Sequence, residues 1–417
     1  MGVGEHLRRL RAYALIPMLG ALSPILAIPV ITHSHGAAGW TAIAIGQSVG
    51  SAAAVLIELA WGLLGPQKVA AASDSERWRL YRTAFASRSI VYLIAGPIAA
   101  SVAIFISKEY ALSTAFSALA TAAIGLSPGW YMLGVGTPRK ILYIETIPRI
   151  ASVAASCIIL LMGGALWWNP LLLLVSSVFA PIFVRLTQAP AGPHIPLGAK
   201  EIGQSVLNQK VGLAGRVISA IYISLPVAIV GAVAPPVVTA FAAADRLMRL
   251  SLVFLQAIPN SFQNWLGQAT EGNRRRRVRD TLAINLLLGV CAGAGFAVTA
   301  PVAAKYLFSG EIDLPIRSAA ICGVIIAVVC LTRAAGGLVL VHLSRIGAVA
   351  LSALAGGAVG ALAIPPLTII GGADGALFGI LIAEIVVLLI QIGVIMRSMN
   401  LGSYLKDRLA SRRVVHA

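Results

Sequence analysis

Blocks of about twenty almost uninterrupted apolar residues recur along the whole chain, separated by short, polar and mostly basic gaps. They lie near 12–32, 40–65, 89–107, 111–134, 143–163, 170–187, 211–233, 236–262, 282–303, 316–340, 346–369 and 373–397. At 1.5 Å per residue each forms a helix about long enough to cross the roughly 30 Å hydrocarbon layer of a bilayer. The pattern predicts an all-α integral membrane protein with about twelve transmembrane helices. The first block follows Arg8, Arg9 and Arg11 and runs on without an A-x-A cleavage site, so it is expected to stay in place as an anchor.

The gaps give the orientation, because an error in the helix count would scramble the alternation of basic and non-basic loops. The first side carries Lys68, Arg77, Arg79, Arg82, Arg139, Lys140, Lys200, Lys210, Arg274 to Arg277, Arg279 and Arg345, together with the N-terminal arginines and Lys406, Arg408, Arg412 and Arg413 of the tail. The other side holds only Lys108, Lys305 and Arg317. An even number of helices with both termini in the cytoplasm follows, in the bacterial cytoplasmic (inner) membrane.

A Pro-rich gap from Gln188 to Gln209 falls almost midway and suits a linker between two six-helix halves. Shifting the chain by about 198 residues lays TAIAIGQSVG, from Thr41, over TAFAAADRLM, from Thr239, and Arg77 to Arg82 over Arg275 to Asp280. Six helices between equivalent points make the repeats parallel in the membrane. The expected domains are an N-terminal six-helix lobe at 1–190, a cytoplasmic linker at 191–209, a C-terminal six-helix lobe at 210–400 and a basic cytoplasmic tail at 401–417.

Composition agrees with the pattern: 58% of residues are hydrophobic and 11% charged, against roughly 25% charged in an average globular chain. The net charge of +17 reads as loop charge that sets topology, so no nucleic-acid partner is expected. Cys157, Cys291, Cys322 and Cys330 lie inside apolar runs without metal-ligand spacing, and the six histidines are scattered. No metal site, Walker A motif or G-x-S-x-G elbow is evident, so catalytic residues, cofactors and enzyme activity are not expected.

Chemistry is sought instead where charge is buried in lipid, since a charged group at mid-bilayer costs several kcal/mol and by default faces a cavity. The eighth helix holds Asp245, Arg246 and Arg249 near its middle; Asp245 and Arg249 are four apart and able to pair, with Arg246 one position round. Glu58, Arg88, Glu145, Arg149, Arg216, Arg333 and Glu384 complete the set. For Arg88, Glu145, Arg216 and Arg333 snorkelling to the headgroups is an equally good reading. Glu58 and Glu384 are either partners of these arginines or, with Asp245, sites for a coupling ion, so coupling to a Na⁺ or H⁺ gradient stays open. Trp130 and Tyr131, in LSPGWYMLGVGTPRK, are read as interfacial aromatic anchors or as part of a gate.

Three stretches carry a family resemblance: IELAWGLLGPQKVAA at the end of the second helix, LSPGWYMLGVGTPRKILYIETIPRI across helices four and five, and AFAAADRLMRLSLVFLQAIPNSF in helix eight. With the twelve-helix parallel plan they resemble the polysaccharide-transport, or O-antigen flippase (Wzx-type), family of the multidrug/oligosaccharidyl-lipid/polysaccharide (MOP) superfamily, which also contains the MATE drug exporters and the lipid II flippases. The resemblance implies two lobes around a central cavity and movement of an undecaprenyl-diphosphate-linked oligosaccharide from the cytoplasmic to the outer leaflet. It makes Arg246, Arg249, Arg149, Arg216 and Arg88 candidates for holding the diphosphate. Implied partners are the lipid-linked glycan, membrane lipid, and glycan polymerase and chain-length machinery. Lipid II flippases usually have fourteen helices, two more than here, and the first helix lacks the acidic cluster of a proton-coupled MATE exporter. A MATE-like ion-coupled exporter of small molecules and a non-transporting scaffold of a glycan-assembly complex are the alternatives.

Overall fold

A straight 56-residue helix would run about 84 Å, nearly three times the hydrocarbon thickness. The first helix of the computed structural model, α1 (Val3–Glu58), accordingly breaks at Gly36. Its φ of 65° and ψ of −174° lie where only glycine is unstrained. The structure describes residues 3–137, 139–189, 197–207, 223–255, 266 and 272–414, with side chains described between 25 and 399 except at 63 and 199. Among them every regular element is helical.

Next come α2 (Trp61–Ala71), α3 (Asp74–Ile106) and α4 (Ala111–Ala123), which tightens into a 3₁₀ turn at Ile124–Leu126. A short α5 (Gly129–Gly134) precedes α6 (Arg139–Leu161), whose segment Leu142–Thr146 is π-helical. Then follow α7 (Trp168–Thr187), α8 (Ala199–Leu207), α9 (Pro226–Val233) and α10 (Val238–Leu255). The remainder is α11 (Arg274–Leu307), α12 (Ile316–Leu340, π-helical from Ala334) and α13 (Ile346–Val414), which breaks at Gly372 with φ 59°.

Eight helices among the described residues are long and apolar enough to cross a membrane. With the breaks at Gly36 and Gly372, and with α9 and α10 at the expected seventh and eighth positions, the twelve-span layout is consistent with the structure.

The described chain clusters into two compact units, one of Met1–Ala242 with Lys305–Ile312 and one of Ala243–Ala304 with Asp313–Ala417. In the first, α4 packs against α1, α3 and α7. Lipid tails are as apolar as the helices, so close approach comes from small residues that let backbones touch. A Cβ at Gly46 would stand 2.5 Å from the Thr114 carbonyl, and one at Gly50 would stand 2.4 Å from that of Ala118. Ser117 Oγ bridges the same helices by donating to the Ile43 carbonyl at 2.9 Å. In the second unit α11 and α12 cross in the same way, with a Gly293 Cβ falling 2.2 Å from the Gly323 carbonyl.

At the end of α1, Leu59 and Ala60 have φ of 50° and 58° and are fully buried. Such strain persists only where packing holds it, and here an aromatic cluster does: Trp61 lies 4.9 Å from Trp130, and Tyr81 lies 4.9 Å from Tyr131, ring centre to ring centre. The Tyr81 hydroxyl donates to the Pro181 carbonyl at 2.7 Å. Trp130 and Tyr131 are therefore core residues, 5% and 8% exposed, and not interfacial anchors. On the same basic side, α8 docks on α3 through Glu201, which receives Arg79 Nε and Nη2 at 3.0 Å each. That hydrogen-bonded guanidinium holds the Glu201 carboxyl below the usual carboxylate range.

Candidate functional site

In each unit several of the candidate charges gather inside apolar helix. In the first unit they do so where α4 stops. After the 3₁₀ turn, Ser127 and Pro128 leave the helical path, and carbonyls freed at a helix end inside a membrane need donors. Arg88 of α3 supplies them: its Nε donates to the Gly125 carbonyl at 2.8 Å, and one terminal nitrogen donates to Gly125 and, at 3.0 Å, to Ser127. Its side chain is 2% exposed, so it turns into the protein and not out to the headgroups.

On the other side of the break, Ser127 Oγ donates to Glu145 Oε1 at 2.7 Å and accepts from the Gly129 amide at 3.1 Å. Glu145 lies within the π-helical segment of α6. Such one-turn widenings inside α-helices occur frequently at functional sites. One turn further on, Arg149 makes no hydrogen bond or ion pair among the described residues. Ser127, Glu145, Arg149, Ser176, Ser177 and Ala180 line a small, partly open pocket.

The second cluster is on α10. Arg249 Nε meets Asp245 Oδ2 at 2.6 Å along one helix face. Asp245 is 5% exposed, and its Oδ1 is buried without a hydrogen-bond partner among the described residues. Arg246 Nε is likewise buried and unpartnered among them. Arg333 donates to the Leu252 carbonyl at 2.9 Å, and so belongs to the packing of α12 on α10.

Glu58 is the last residue of α1, close enough to the start of α2 that a Cβ on Gly62 would fall 1.7 Å from its Oε1. Glu384 is half-buried in α13. Arg216 lies outside the described residues. The structure thus brings Arg88, Glu145 and Arg149 together around Ser127, and Asp245, Arg246 and Arg249 together on α10.

Sequence reading passed over Ser127, Ser176 and Ser177, whose only signal is a hydroxyl inside an apolar run. It also passed over Asp374, which receives Ser318 Oγ and pairs with Arg317 at 3.1 Å just beyond the Gly372 break. Among the described residues no group of three or more His, Cys, Asp or Glu side chains could hold a metal ion. Guanidinium forks and hydroxyls beside lone carboxylates suit binding of anionic, hydroxylated solutes.

The fold is that of the MOP-superfamily transporters, and the chain is a multi-pass membrane protein with that architecture. It matches an inward-facing multidrug resistance MATE family transporter with a TM-score of 0.63 at 15% identity, over 93% of this chain and 95% of that one. Against the lipid II flippase MurJ in an inward closed conformation the TM-score is 0.60 at 12% identity, over 92% and 86%. The MATE multidrug transporter DinF-BH gives 0.55 at 15%, over 95% and 96%. No family model matches the sequence, and no curated protein matches it.

Proposed function

We propose that the chain is a flippase that carries an undecaprenyl-diphosphate-linked oligosaccharide across the bacterial cytoplasmic membrane by alternating access, with its basic loops in the cytoplasm. The observation that carries this reading is Arg246, held mid-helix with a buried Nε that has no partner among the described residues. Keeping such a group in the membrane costs several kcal/mol unless something is bound by it. A diphosphate is a matching ligand: it is anionic, and a planar guanidinium that stays protonated offers it several donors at once. Arg249, shared with Asp245, lies one turn away on the same helix. A lipid-linked glycan also needs hydroxyl-lined surface for its sugars, and Ser127, Ser176 and Ser177 are of that kind.

The test is translocation of a lipid-linked oligosaccharide in vesicles. The R246A/R249A double variant is expected to flip at least tenfold more slowly than the wild type, the loss of one or two charge-assisted contacts at about 1.4 kcal/mol per factor of ten. Equal flipping removes the proposed site. No flipping by the wild type removes the flippase reading and leaves the exporter and a scaffold of a glycan-assembly complex.

A MATE-like exporter of small molecules is the second reading. Chain length favours it, since the match spans 95% of a MATE structure but 86% of MurJ. Accumulation of an organic cation in the same vesicles, driven by a Na⁺ or H⁺ gradient, decides for it.

A further inference from the structure

The arginines that open α11 do more than orient the chain. Laying one half of the sequence over the other at 198 residues places Arg77 and Arg79 on Arg275 and Arg277, and the two turns differ in how their charge is used. In the first half, Arg77 binds Asp74 at 2.8 Å and the Val69 carbonyl at 2.9 Å, and Arg79 takes both oxygens of Glu201. There Arg77 and Arg79 each have a carboxylate of their own.

In the second half five arginines, Arg274 to Arg277 and Arg279, stand in sequence beside Glu271 and Asp280 alone, which leaves three positive charges over. Arg275 is anchored by donating to the Met399 carbonyl at 3.0 Å. Arg276 and Arg279 share the single carboxylate of Asp280, at 3.7 Å and 3.1 Å, with side chains 81% and 76% exposed.

Their place on the helix points to the occupant. Residues 276, 279, 283, 287 and 290 are spaced three or four apart, so they form one face of α11, and all five are exposed. The upper part of that face is apolar, with Leu287 64% and Val290 50% exposed. In a membrane-spanning helix such a face meets acyl chains. Arg279 lies about 12 Å below Leu287 along the axis, on the polar side of the apolar run that begins near 282.

We propose that Arg276 and Arg279 form a docking site for an anionic phospholipid, its phosphate on the two guanidiniums and its chains on the apolar face above. Arg276 and Arg279 share one carboxylate where Arg77 and Arg79 have one each, and the leaflet itself complements them. This site is independent of which solute the chain carries.

The full-length chain in nanodiscs of phosphatidylcholine with one-fifth phosphatidylglycerol is the system to test, with lipids retained after extraction counted by native mass spectrometry. The wild type is expected to retain phosphatidylglycerol over phosphatidylcholine. R276Q/R279Q is expected to lower that retention about thirtyfold, since each of the two basic residues at the surface contributes on the order of 1 kcal/mol. R276K/R279K keeps the charge and should retain most of the preference, which separates lost binding from lost fold. R77Q/R79Q, which removes equal charge from the matching turn, should leave it unchanged. Undiminished retention in R276Q/R279Q, or an equal loss in R77Q/R79Q, overturns the site. Displacement of the lipid by millimolar inorganic phosphate assigns it to a soluble anion and overturns it too.

Discussion

At the scale of single residues, the membrane separates two uses of the same side chain. Arg88 and Arg246 both lie inside spanning helices, yet Arg88 commits its donors to the broken end of α4, whereas Arg246 keeps a buried Nε without a partner among the described residues. Substituting Arg88 by alanine strands the Gly125 and Ser127 carbonyls in a buried setting, where an unmet acceptor costs on the order of 1–3 kcal/mol. R88A is expected to lower the melting temperature of the purified protein clearly, and R246A to leave it nearly unchanged. Equal melting of R88A and the wild type would contradict the structural role of Arg88.

At the scale of elements, the helix breaks position the polar groups. Gly36 and Gly372 supply left-handed turns, the 3₁₀ end of α4 exposes carbonyls to Arg88, and the π segment of α6 carries Glu145. Outside the spans, α8 is held to α3 by Arg79 and Glu201, a bond that depends on the carboxylate being charged. Because the folded pKa of Glu201 is lowered, this contribution is fully present above the ordinary carboxylate value. It is lost as pH falls through the folded value. Protection factors across 199–207 should therefore fall below about pH 4.5, and E201Q should be poorly protected at neutral pH. Protection that does not vary with pH in the wild type would show that packing alone docks α8.

At the scale of the whole molecule, two distant threonines meet. Thr41 and Thr239, the two positions that a 198-residue shift superimposes, share a hydrogen bond with their hydroxyl oxygens 2.6 Å apart. Both belong to the first compact unit, as do Ser48 and the Ser224 carbonyl it reaches. A contact inside one compact unit stays closed when that unit moves as a body, so under the proposed flippase reading the Thr41–Thr239 contact need not open. A T41C/T239C variant, oxidised to a disulfide, is expected to transport as well as the reduced protein. Transport lost on oxidation and recovered on reduction would show that this unit opens internally.

Sequence by itself determined the class of molecule, because the cost of apolar surface in water and of charge in lipid is met locally, run by run and loop by loop. It also supplied the repeat offset, the position of Asp245 and Arg249 one turn apart, and the list of buried charges. It did not reveal which of those charges serve the fold: that depends on donors and acceptors 37 to 122 residues apart, such as Arg88 with Gly125 and Arg79 with Glu201. Nor did it reveal that Trp130 and Tyr131 are core, since an aromatic residue beside a turn has the same signature at an interface as under a strained break. Those assignments belong to tertiary structure, where helix ends with unmet carbonyls and side chains distant in sequence satisfy one another.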